Sequence, residues 1–387
     1  MATPATNEAS SLTKAFWRNL AVRAAIYWAF LNARVIFSFI RRVGTLANPK
    51  PSQTNLLIGA TKAGWELIEL EEVWASASEY LGQASVGQVV FGNRNTLVSE
   101  LAQALKESHP SHFYYDPRAG ADSFWRGIVQ AFSAGALFSW YQTTPICMLT
   151  DFPIWGWQMQ VAIVSAESGV VATIDSASKT RRFFPHSRIV GPLPMSISIA
   201  TADSLDRKRR SATPDRSRGA YVAFIGSMYP DRADILNAIF QKLHERGIKT
   251  KAITRALGGP RISNEEYWNE LQAADIIVST SAILSAPGTL ELLPPNHLVF
   301  RFLETTASST CLVAQFTAAA SSYFESGSDY VAFTTVEEAV VAITELIDNP
   351  AQREEVARNG HAVARSLIDA HYFWRALNLA LGAKSLR

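Results

Sequence analysis

The chain has 387 residues, of which 48% are hydrophobic, and this length and composition predict two domains, each with a hydrophobic core. The formal net charge of +2 excludes nucleic-acid binding that rests on bulk electrostatic attraction. Both cysteines, Cys147 and Cys311, stand in apolar runs. They predict buried thiols in a reducing compartment and exclude a disulfide framework or a cysteine zinc site.

The N-terminal segment, residues 1–47, contains a long stretch at 16–43 that is rich in Trp, Phe, Ile and Ala and lacks Gly and Pro. It has the length of a membrane span, but arginines interrupt it, and at about 100° per residue Arg23, Arg34 and Arg41 share one stripe. The pattern predicts a basic amphipathic helix, and no cleavage site that would indicate a signal peptide follows it. Two partners fit this helix: a membrane surface, or a protein surface of this chain or of a second subunit.

Residues 48–199 alternate between predicted strands and helices. The strands are 55–60, 86–91, 112–116, 144–151 and 169–174, and the clearest helices are 96–108 and 124–141. Such alternation predicts a doubly wound parallel sheet, in which ligands bind at the carboxyl ends of the strands. Asp116, Asp151 and Asp175 stand at three of these ends.

Asp151 is the acid with the most distinctive surroundings, because Trp155 and Trp157 follow it closely. Aromatic surface would partly desolvate the carboxylate and raise its pKa, which suits a general base, and either tryptophan could stack on a sugar. The alternative is that Asp151 caps a turn before Pro153 and that the tryptophans belong to the core.

Residues 200–219 are basic and poor in apolar residues, which predicts a solvated interdomain linker. The second domain, 220–370, then opens with a buried strand that ends at Gly226 and Ser227 and is followed by a helix. A glycine in this turn lets the backbone approach a diphosphate, which the helix N–H groups can hold. Ser279 and Thr280 end a later strand at the same edge, and residues 371–387 predict a helix that returns to the first domain.

The stretch 296–314 predicts a helix that leads into a buried strand at 311–314. Arg301 and Glu304 are three residues apart and share one helix face. A carboxylate at the open edge of a parallel sheet can accept hydrogen bonds from both hydroxyls of a ribose. The alternative is a surface ion pair without a ligand.

Four segments in this order resemble the C-terminal half of retaining-type glycosyltransferases with two Rossmann-like domains, the GT-B class, especially those similar to spore-maturation glycosyltransferases. They are Gly226-Ser227-x-Tyr229-Pro230-x-Arg232, Tyr267-x-x-x-Leu271-x-x-Ala274-Asp275-Ile276, Arg301-x-x-Glu304, and Gly327-x-Asp329-Tyr330-Val331-x-Phe333. The resemblance covers about residues 220–375. It implies an α/β fold with two Rossmann-like doubly wound parallel-sheet domains, here with an N-terminal amphipathic helix.

By this resemblance, Glu304 binds the donor ribose, and Arg301 stabilises the leaving diphosphate or orients its helix. The predicted donor-binding residues are Gly226, Ser227, Tyr267, Ser279, Thr280, Arg301, Glu304 and Thr305, and the predicted acceptor-binding residues are Trp155 and Trp157. Many retaining relatives carry a second glutamate eight residues before the ribose glutamate, where this chain has Asn296. The departure removes the usual sugar-contacting carboxylate and leaves the stereochemistry open.

The sequence therefore predicts a cytoplasmic glycosyltransferase, peripheral at the inner membrane face if the N-terminal helix binds lipid, and of the kind that builds cell-surface polysaccharides. It predicts no catalytic metal or other cofactor, a nucleotide-sugar donor as substrate, and a glycan, lipid-linked or small-molecule acceptor. Asp151 is the predicted base for inversion, whereas in retention the leaving phosphate takes the proton. Two alternatives remain, namely a sugar-nucleotide epimerase or hydrolase and a noncatalytic two-lobed binding scaffold.

Overall fold

The computed structural model of the protein describes residues 5–47, 55–93, 95–119, 124–149, 155–184, 187–211, 221–228, 230–255, 262–281, 296–382 and 386. For residues 5–19 it describes the backbone alone. The predicted fold class is confirmed, because the described elements form two parallel sheets with helices packed on both faces of each.

The first domain is built on a sheet of six strands. Its elements are α1 (Ala5–Ala47), β1 (Leu56–Thr61), α2 (Lys62–Trp65), α3 (Ile68–Leu81), β2 (Val86–Phe91), α4 (Leu97–Ser108), β3 (His112–Tyr115), α5 (Phe124–Trp140), β4 (Thr144–Leu149), α6 (Trp155–Val164), β5 (Val170–Thr173), α7 (Ala177–Arg181) and β6 (Arg188–Val190). The strand order is β2-β1-β3-β4-β5-β6. Successive residues of a strand point to opposite faces, so the apolar runs of β1 and β4 serve two cores. One core contains α3, and the other contains α1, α4, α5 and α6.

The second domain is built on a sheet of five strands. The remaining elements of the chain are α8 (Ile199–Ser211), β7 (Tyr221–Ser227), α9 (Pro230–Glu245), β8 (Lys249–Arg255), α10 (Asn264–Ala273), β9 (Ile276–Ser279), α11 (Arg301–Ala307), β10 (Cys311–Gln315), β11 (Val331–Phe333), α12 (Val336–Asp348), α13 (Pro350–Asp369) and α14 (Tyr372–Leu381). The strand order is β11-β10-β9-β7-β8. The predicted passage from helix to strand within 296–314 is confirmed by α11 and β10.

Both sheets reverse their strand order beside their first strand, between β1 and β3 in one and between β7 and β9 in the other. In open α/β sheets, the crevice at the carboxyl end of this reversal is where ligands bind. The two crevices open into one interdomain cleft, because residues after β1 line the same space as the ends of β7 and β8. The fold therefore places both domains' ligand edges opposite each other.

The basic segment 200–211 is not a solvated linker, because it forms most of α8. Ala202 and Leu205 of this helix are buried, and Glu79 of α3 accepts hydrogen bonds from the backbone N–H groups of Ile199 and Ala200. A carboxylate at a helix N-terminus satisfies orphan donors and complements the helix dipole. The composition did not predict this helix, because the carboxylate that caps its N-terminus comes from α3. Residues 212–219 lie outside the described residues.

Helix α14 packs on the first domain. The indole nitrogen of Trp374 donates to the Ser76 hydroxyl of α3 at 3.0 Å, and both side chains are buried. Two further bonds join the domains on the β5 side, from Leu298 N to Ile174 O at 2.8 Å and from the Tyr323 hydroxyl to Pro192 O at 2.6 Å. The cleft is thus closed at one side by direct packing.

Helix α1 packs along α5 and α6, so contact with its own protein is established for the N-terminal helix. Part of the predicted arginine stripe faces the protein. Arg41 donates to Glu167 at 2.8 Å and to Ser168 at 3.0 Å, and the Arg23 guanidinium lies 5.1 Å from the centre of the Phe183 ring. Of the two partners predicted for this helix, Arg23 and Arg41 thus contact the protein surface of this chain.

Candidate active site

The candidate site is the interdomain cleft, a partly open cavity of about 190 Å³. Residues 66–69, which lead from α2 into α3, form its first-domain wall. The second-domain wall consists of the ends of β7 and β8 and the start of α10, with Gly226, Ser227 and Tyr267 among its lining residues.

Arg301 is the centre of a buried network behind the second-domain wall. Its Nη2 donates to the carbonyl oxygen of Ile225 at 2.6 Å, and its Nη1 donates to the Tyr267 hydroxyl. The same Nη1 lies 3.5 Å from a carboxylate oxygen of Glu304, and the guanidinium stands over the Tyr267 ring, 5.1 Å from its centre. Arg301 therefore ties the end of β7 to α10 and α11.

The position of Glu304 follows from the short helix α11, which is buried on nearly all sides. Spacing of three residues puts Glu304 on the face of Arg301. Burial raises the pKa of Glu304 to about 7, although the charge of Arg301 and a hydrogen bond from Tyr267 oppose the rise. Burial also raises the pKa of Tyr267 well above its ordinary value, so its hydroxyl stays protonated and can donate.

The turn after β7 depends on glycine at position 226. Gly226 has φ +149°, a conformation that side chains rarely adopt, and an added Cβ would lie 3.3 Å from the Phe224 ring and 3.5 Å from Nη2 of Arg301. A ligand at this turn would therefore meet the backbone directly, with the guanidinium beneath it. The helix α9 begins just beyond, so its N–H groups and dipole also favour an anion here.

Arg232, in the first turn of α9, is a cation beside this turn that we did not select from the sequence. It donates to the carbonyl oxygen of Ser227 at 2.9 Å, and its guanidinium lies 5.9 Å from the centre of the Phe224 ring. The signal was present, because Arg232 belongs to the motif that starts at Gly226, but the sequence prediction assigned only Arg301 to the diphosphate.

Ser279, Thr280 and Thr305 are buried, at the end of β9 and within α11. In the part of the chain that the structure describes, the hydroxyls of Thr280 and Thr305 are buried and have no hydrogen-bond partner. The structure joins Tyr267, Arg301 and Glu304 into one network beside Gly226 and does not link these three hydroxyls to it. Their donor-binding role stays a prediction.

Glu69, at the start of α3, is the main residue that sequence reasoning missed, because no helix was predicted between 61 and 85. Its carboxylate lines the cleft and accepts from Arg118 at 2.9 Å. Its negative charge also contributes to the raised pKa of Glu304, after the larger effects of burial, Arg301 and Tyr267. The available signal was the spacing of Leu70, Val73 and Ala77, which are all buried.

The acids at the strand ends have different surroundings. Asp116 forms an ion pair with Arg118, in which a carboxylate oxygen of Asp116 lies 2.7 Å from Nη2 of Arg118. Asp175 is fully buried, 2.8 Å from Lys179 Nζ and 3.3 Å from His297 Nε2. Burial raises the pKa of Asp175, but the bonds from His297 and Lys179 outweigh it and hold the pKa below the ordinary value. Both acids are thus committed to ion pairs within the protein.

The predicted acceptor residues are only partly described. Asp151 lies outside the described residues, as does the side chain of Trp155, although the backbone of Trp155 begins α6. Trp157 is half-buried in the first turn of α6, which packs against residues 117–119 at the end of β3. The acceptor assignment of both tryptophans and the base role of Asp151 stay predictions.

Asn296 stands where many retaining relatives have a sugar-contacting glutamate. Its side-chain oxygen accepts from the backbone N–H of Ala319 at 2.8 Å. The Asn296 side chain thus anchors the loop after β10 to the start of the segment that leads into α11.

Among the described residues, no group of three His, Cys, Asp or Glu side chains could hold a metal ion.

Comparisons with known proteins agree with this architecture. The family model described as glycosyl transferase-like matches residues 211–380. Of the solved structures, HepE of Anabaena in complex with UDP-glucose aligns over 84% of this chain and 98% of its own, at 13% identity and a TM-score of 0.52. A glycosyltransferase from Rickettsia africae aligns over 84% of this chain and 99% of its own, at 9% identity and a TM-score of 0.53.

A putative UDP-N-acetylglucosamine 2-epimerase from Listeria monocytogenes is also similar, at 9% identity over 83% of this chain and 97% of its own, but its TM-score of 0.48 is too low to bear on function. No curated protein matches the sequence. The resemblance found in the sequence is confirmed: the chain has the GT-B fold of two Rossmann-like domains, and residues 211–380 match the glycosyl transferase-like family model.

Proposed function

We propose that the protein transfers a sugar from a nucleotide-sugar to an acceptor hydroxyl in the interdomain cleft. The observation that carries this proposal is the network of Arg301, Tyr267 and Glu304 directly behind the glycine turn at 226, at the sheet reversal where α/β folds bind nucleotides. Glu304 accepts from the donor ribose. The diphosphate lies at the Gly226 turn and the N-terminus of α9, near Arg232.

The uridine nucleotides are the first donors to test. HepE, which shares the fold, was crystallised with UDP and with UDP-glucose, and a diphosphate fits the positive charge and N–H groups around Gly226. We propose that the site works without a metal, because Arg301, Arg232 and the N-terminus of α9 supply the positive charge that a leaving diphosphate requires.

In the reaction, the bond between the anomeric carbon and the diphosphate oxygen breaks, and the acceptor hydroxyl oxygen forms the new bond to that carbon. The electron pair leaves with the diphosphate. The acceptor proton passes to a carboxylate on the first domain if the sugar inverts, and to the leaving phosphate if it is retained. Glu69 faces the donor side of the cleft and joins Asp151 as a proposed base.

Thermal unfolding of the full chain with a panel of nucleoside diphosphates and nucleotide-sugars tests the donor site. We expect one nucleotide class to raise Tm, because a ligand that binds the native state alone stabilises it by mass action. Glu304→Gln removes the charged ribose acceptor and should abolish the shift, whereas Glu337→Gln, at an exposed carboxylate on α12, should retain it. A wild-type protein that no nucleotide stabilises would contradict the proposal.

Release of the nucleoside diphosphate, with and without glycan, lipid-linked and small-molecule acceptors, then tests transfer. We expect release to depend on an acceptor and an equal amount of glycosylated product to appear. Rapid release without acceptor would indicate a hydrolase, and isomerised donor an epimerase. Nucleotide binding without turnover would indicate a scaffold. Full activity in excess chelator would support the absence of a metal.

A further inference from the structure

Helix α1 carries a second apolar face that is exposed in the part of the chain that the structure describes. Within 20–47, Trp28, Val35, Phe39 and Leu46 fall within about 40° of one another around the helix axis. Their side chains are 68%, 73%, 69% and 90% exposed. Ile26 and Phe37, on the opposite side, are buried against the first domain. A helix that is apolar on both sides requires an apolar medium on the outer one.

The neighbouring helix extends this exposed surface. Gly44 of α1 lies against the Trp140 backbone of α5, and Phe37 lies against Gly135, so the two helices run side by side in the same direction. This register brings the start of α5 to the level of Trp28, and Trp125 and Val129 there are 75% and 63% exposed. We call Trp28, Val35, Phe39, Leu46, Trp125 and Val129 the outer apolar face.

The charges beside the outer apolar face are positive. The segment 20–47 contains Arg23, Arg34, Arg41 and Arg42 and has no Asp or Glu. Arg23 and Arg41 contact the first domain, whereas Arg34 and Arg42 are exposed, Arg42 about 40° and Arg34 about 120° around the helix axis from the centre of the apolar stripe. Exposed arginines along an apolar face complement anionic phosphate at the edge of an apolar layer.

The orientation of α1 relates this surface to the cleft. Helix α1 runs in the same direction as α5, which leads from the carboxyl end of β3 to the start of β4, and Arg41 lies against Glu167, which precedes β5. The helix therefore runs from the cleft edge of the first domain to the opposite edge. A surface that covers α1 would also lie beside the entrance to the cleft.

We propose that the outer apolar face docks in the plane of an anionic lipid bilayer, with Arg34 and Arg42 at the lipid phosphates. The segment Leu20–Ala47 is long and apolar enough to cross a bilayer. Its inner side, however, packs on α5 and α6, so a crossing would draw the first domain into the hydrocarbon. A second copy fits less well, because a two-fold contact would bring exposed arginines together.

Together with the proposed glycosyl transfer, on which this step depends, docking indicates the acceptor class: a lipid-linked molecule that reaches the cleft from the membrane surface. The two proposals can fail separately. Vesicle binding does not require a nucleotide, and nucleotide binding does not require vesicles.

Co-sedimentation of the full chain with phosphatidylglycerol-containing vesicles tests docking, with pure phosphatidylcholine vesicles alongside. We expect binding to the anionic vesicles that weakens with salt. The double variant Val35→Glu/Phe39→Glu should lower the partition about tenfold or more, because it places two charges at the acyl boundary. Leu379→Glu, at a side chain 83% exposed on α14, should bind like the wild type.

Arg34→Glu/Arg42→Glu keeps the apolar stripe and should remove the preference for anionic lipid. Each variant should retain the wild-type melting temperature, since all four side chains are exposed. A wild type that ignores anionic vesicles, or equal binding by Val35→Glu/Phe39→Glu, would overturn the proposal. A dimer in solution that this double variant dissociates, without vesicle binding, would assign the face to a second copy instead.

Discussion

The two walls of the cleft handle charge differently. On the second domain, Arg301, Tyr267 and Glu304 compensate one another within a buried network, and Glu304 has a pKa of about 7. On the first domain, Glu69 lies in the cleft, 29% exposed in its side chain, with Arg118 beside it. The second-domain wall therefore has a fixed arrangement of paired charges, whereas the first-domain wall presents a partly exposed carboxylate to a ligand in the cleft.

This difference indicates how the work is divided. A buried network with every charge paired is costly to disturb and holds its geometry, which suits the binding of one fixed ligand such as a nucleotide. A carboxylate at an open wall can receive a proton from a hydroxyl without breaking the fold. Changes on the second wall should therefore alter donor binding and stability together, and changes on the first should alter turnover alone.

Replacing Arg301 with Gln should produce the largest effect. It removes the guanidinium beneath the Gly226 turn and leaves the Ile225 carbonyl without its donor. We expect turnover to fall about 100- to 1000-fold and stability by about 1–3 kcal/mol. Initial rates with saturating donor and thermal melts measure the two effects.

Arg353→Gln is the matched control for Arg301→Gln. Arg353 is similarly buried, donates to Leu346 O at 2.9 Å and lies 3.6 Å from Asp275, but it is remote from the cleft lining. It should lose stability and retain turnover. If both variants lost activity in proportion to stability, Arg301 would have only a structural role.

Glu69→Gln tests the first wall. It keeps the shape of the side chain and removes its basicity, so we expect the turnover number with acceptor to fall about 100-fold. The donor KM and the nucleotide-induced rise in Tm should stay unchanged, because the donor rests on the other wall. Steady-state kinetics with both substrates varied distinguishes the two parameters.

Glu100→Gln is the control for this carboxylate. Glu100 also stands in the first turn of a helix and accepts a single backbone hydrogen bond, from Gly92 at 2.9 Å, away from the cleft. It should behave like the wild type. Loss of donor affinity in Glu69→Gln, with turnover retained at saturation, would remove the distinction between the walls.

The pKa of Glu304 predicts a pH dependence of donor binding. Ribose hydroxyls donate to the ionised carboxylate, so affinity for a nucleotide-sugar should rise about tenfold between pH 6 and pH 8 if only that form binds. Calorimetric titration measures it. A nucleotide-sugar is the right probe, because the terminal phosphate of a free nucleoside diphosphate titrates near the same pH, at about 6.

The unliganded protein should show the opposite slope. The native pKa of about 7 exceeds the ordinary 4.5, so the folded state binds the proton more tightly. This contribution is complete below pH 4.5 and disappears as the pH rises through 7. Burial also raises the pKa of Glu72, with the same sign, so the measured quantity is the difference between wild type and Glu304→Gln. Donor affinity independent of pH in the wild type would contradict the ribose role.

The sequence predicted the residues of the second-domain wall of the cleft better than those of the first-domain wall, for a physical reason. Residues 226–232 and 301–304 form local motifs, in which a turn glycine and a spacing of three residues determine where side chains point. The strands that carry them are apolar runs, which are readable as buried parallel strands. The buried network itself was not readable, because it joins Tyr267 and Ile225 to Arg301 across elements distant in sequence.

The first wall depends on contacts that no local pattern specifies. The position of Glu69 depends on the packing of α3 against the sheet and α14. Glu79, which also belongs to α3, caps the N-terminus of α8. The arginine stripe of α1 shows the same limit. The spacing of the arginines predicted a basic amphipathic helix. In the structure, Arg41 contacts Glu167 and Arg23 contacts Phe183, so both arginines face the first domain, and an apolar face of α1 is exposed.

The smallest effect is expected from Gly226→Ala, which tests whether a ligand approaches the backbone at this turn. The new methyl would meet the Phe224 ring and the Arg301 guanidinium in a strained backbone conformation, at a cost of about 1 kcal/mol. If the turn must relax away from the diphosphate, nucleotide affinity should fall about fivefold. Gly247→Ala is the control, because Gly247 has φ +73° in a turn with no atom within 4 Å of an added Cβ. It should show a similar loss of Tm and unchanged nucleotide affinity, so equal affinity in both variants would place the diphosphate elsewhere on the second wall.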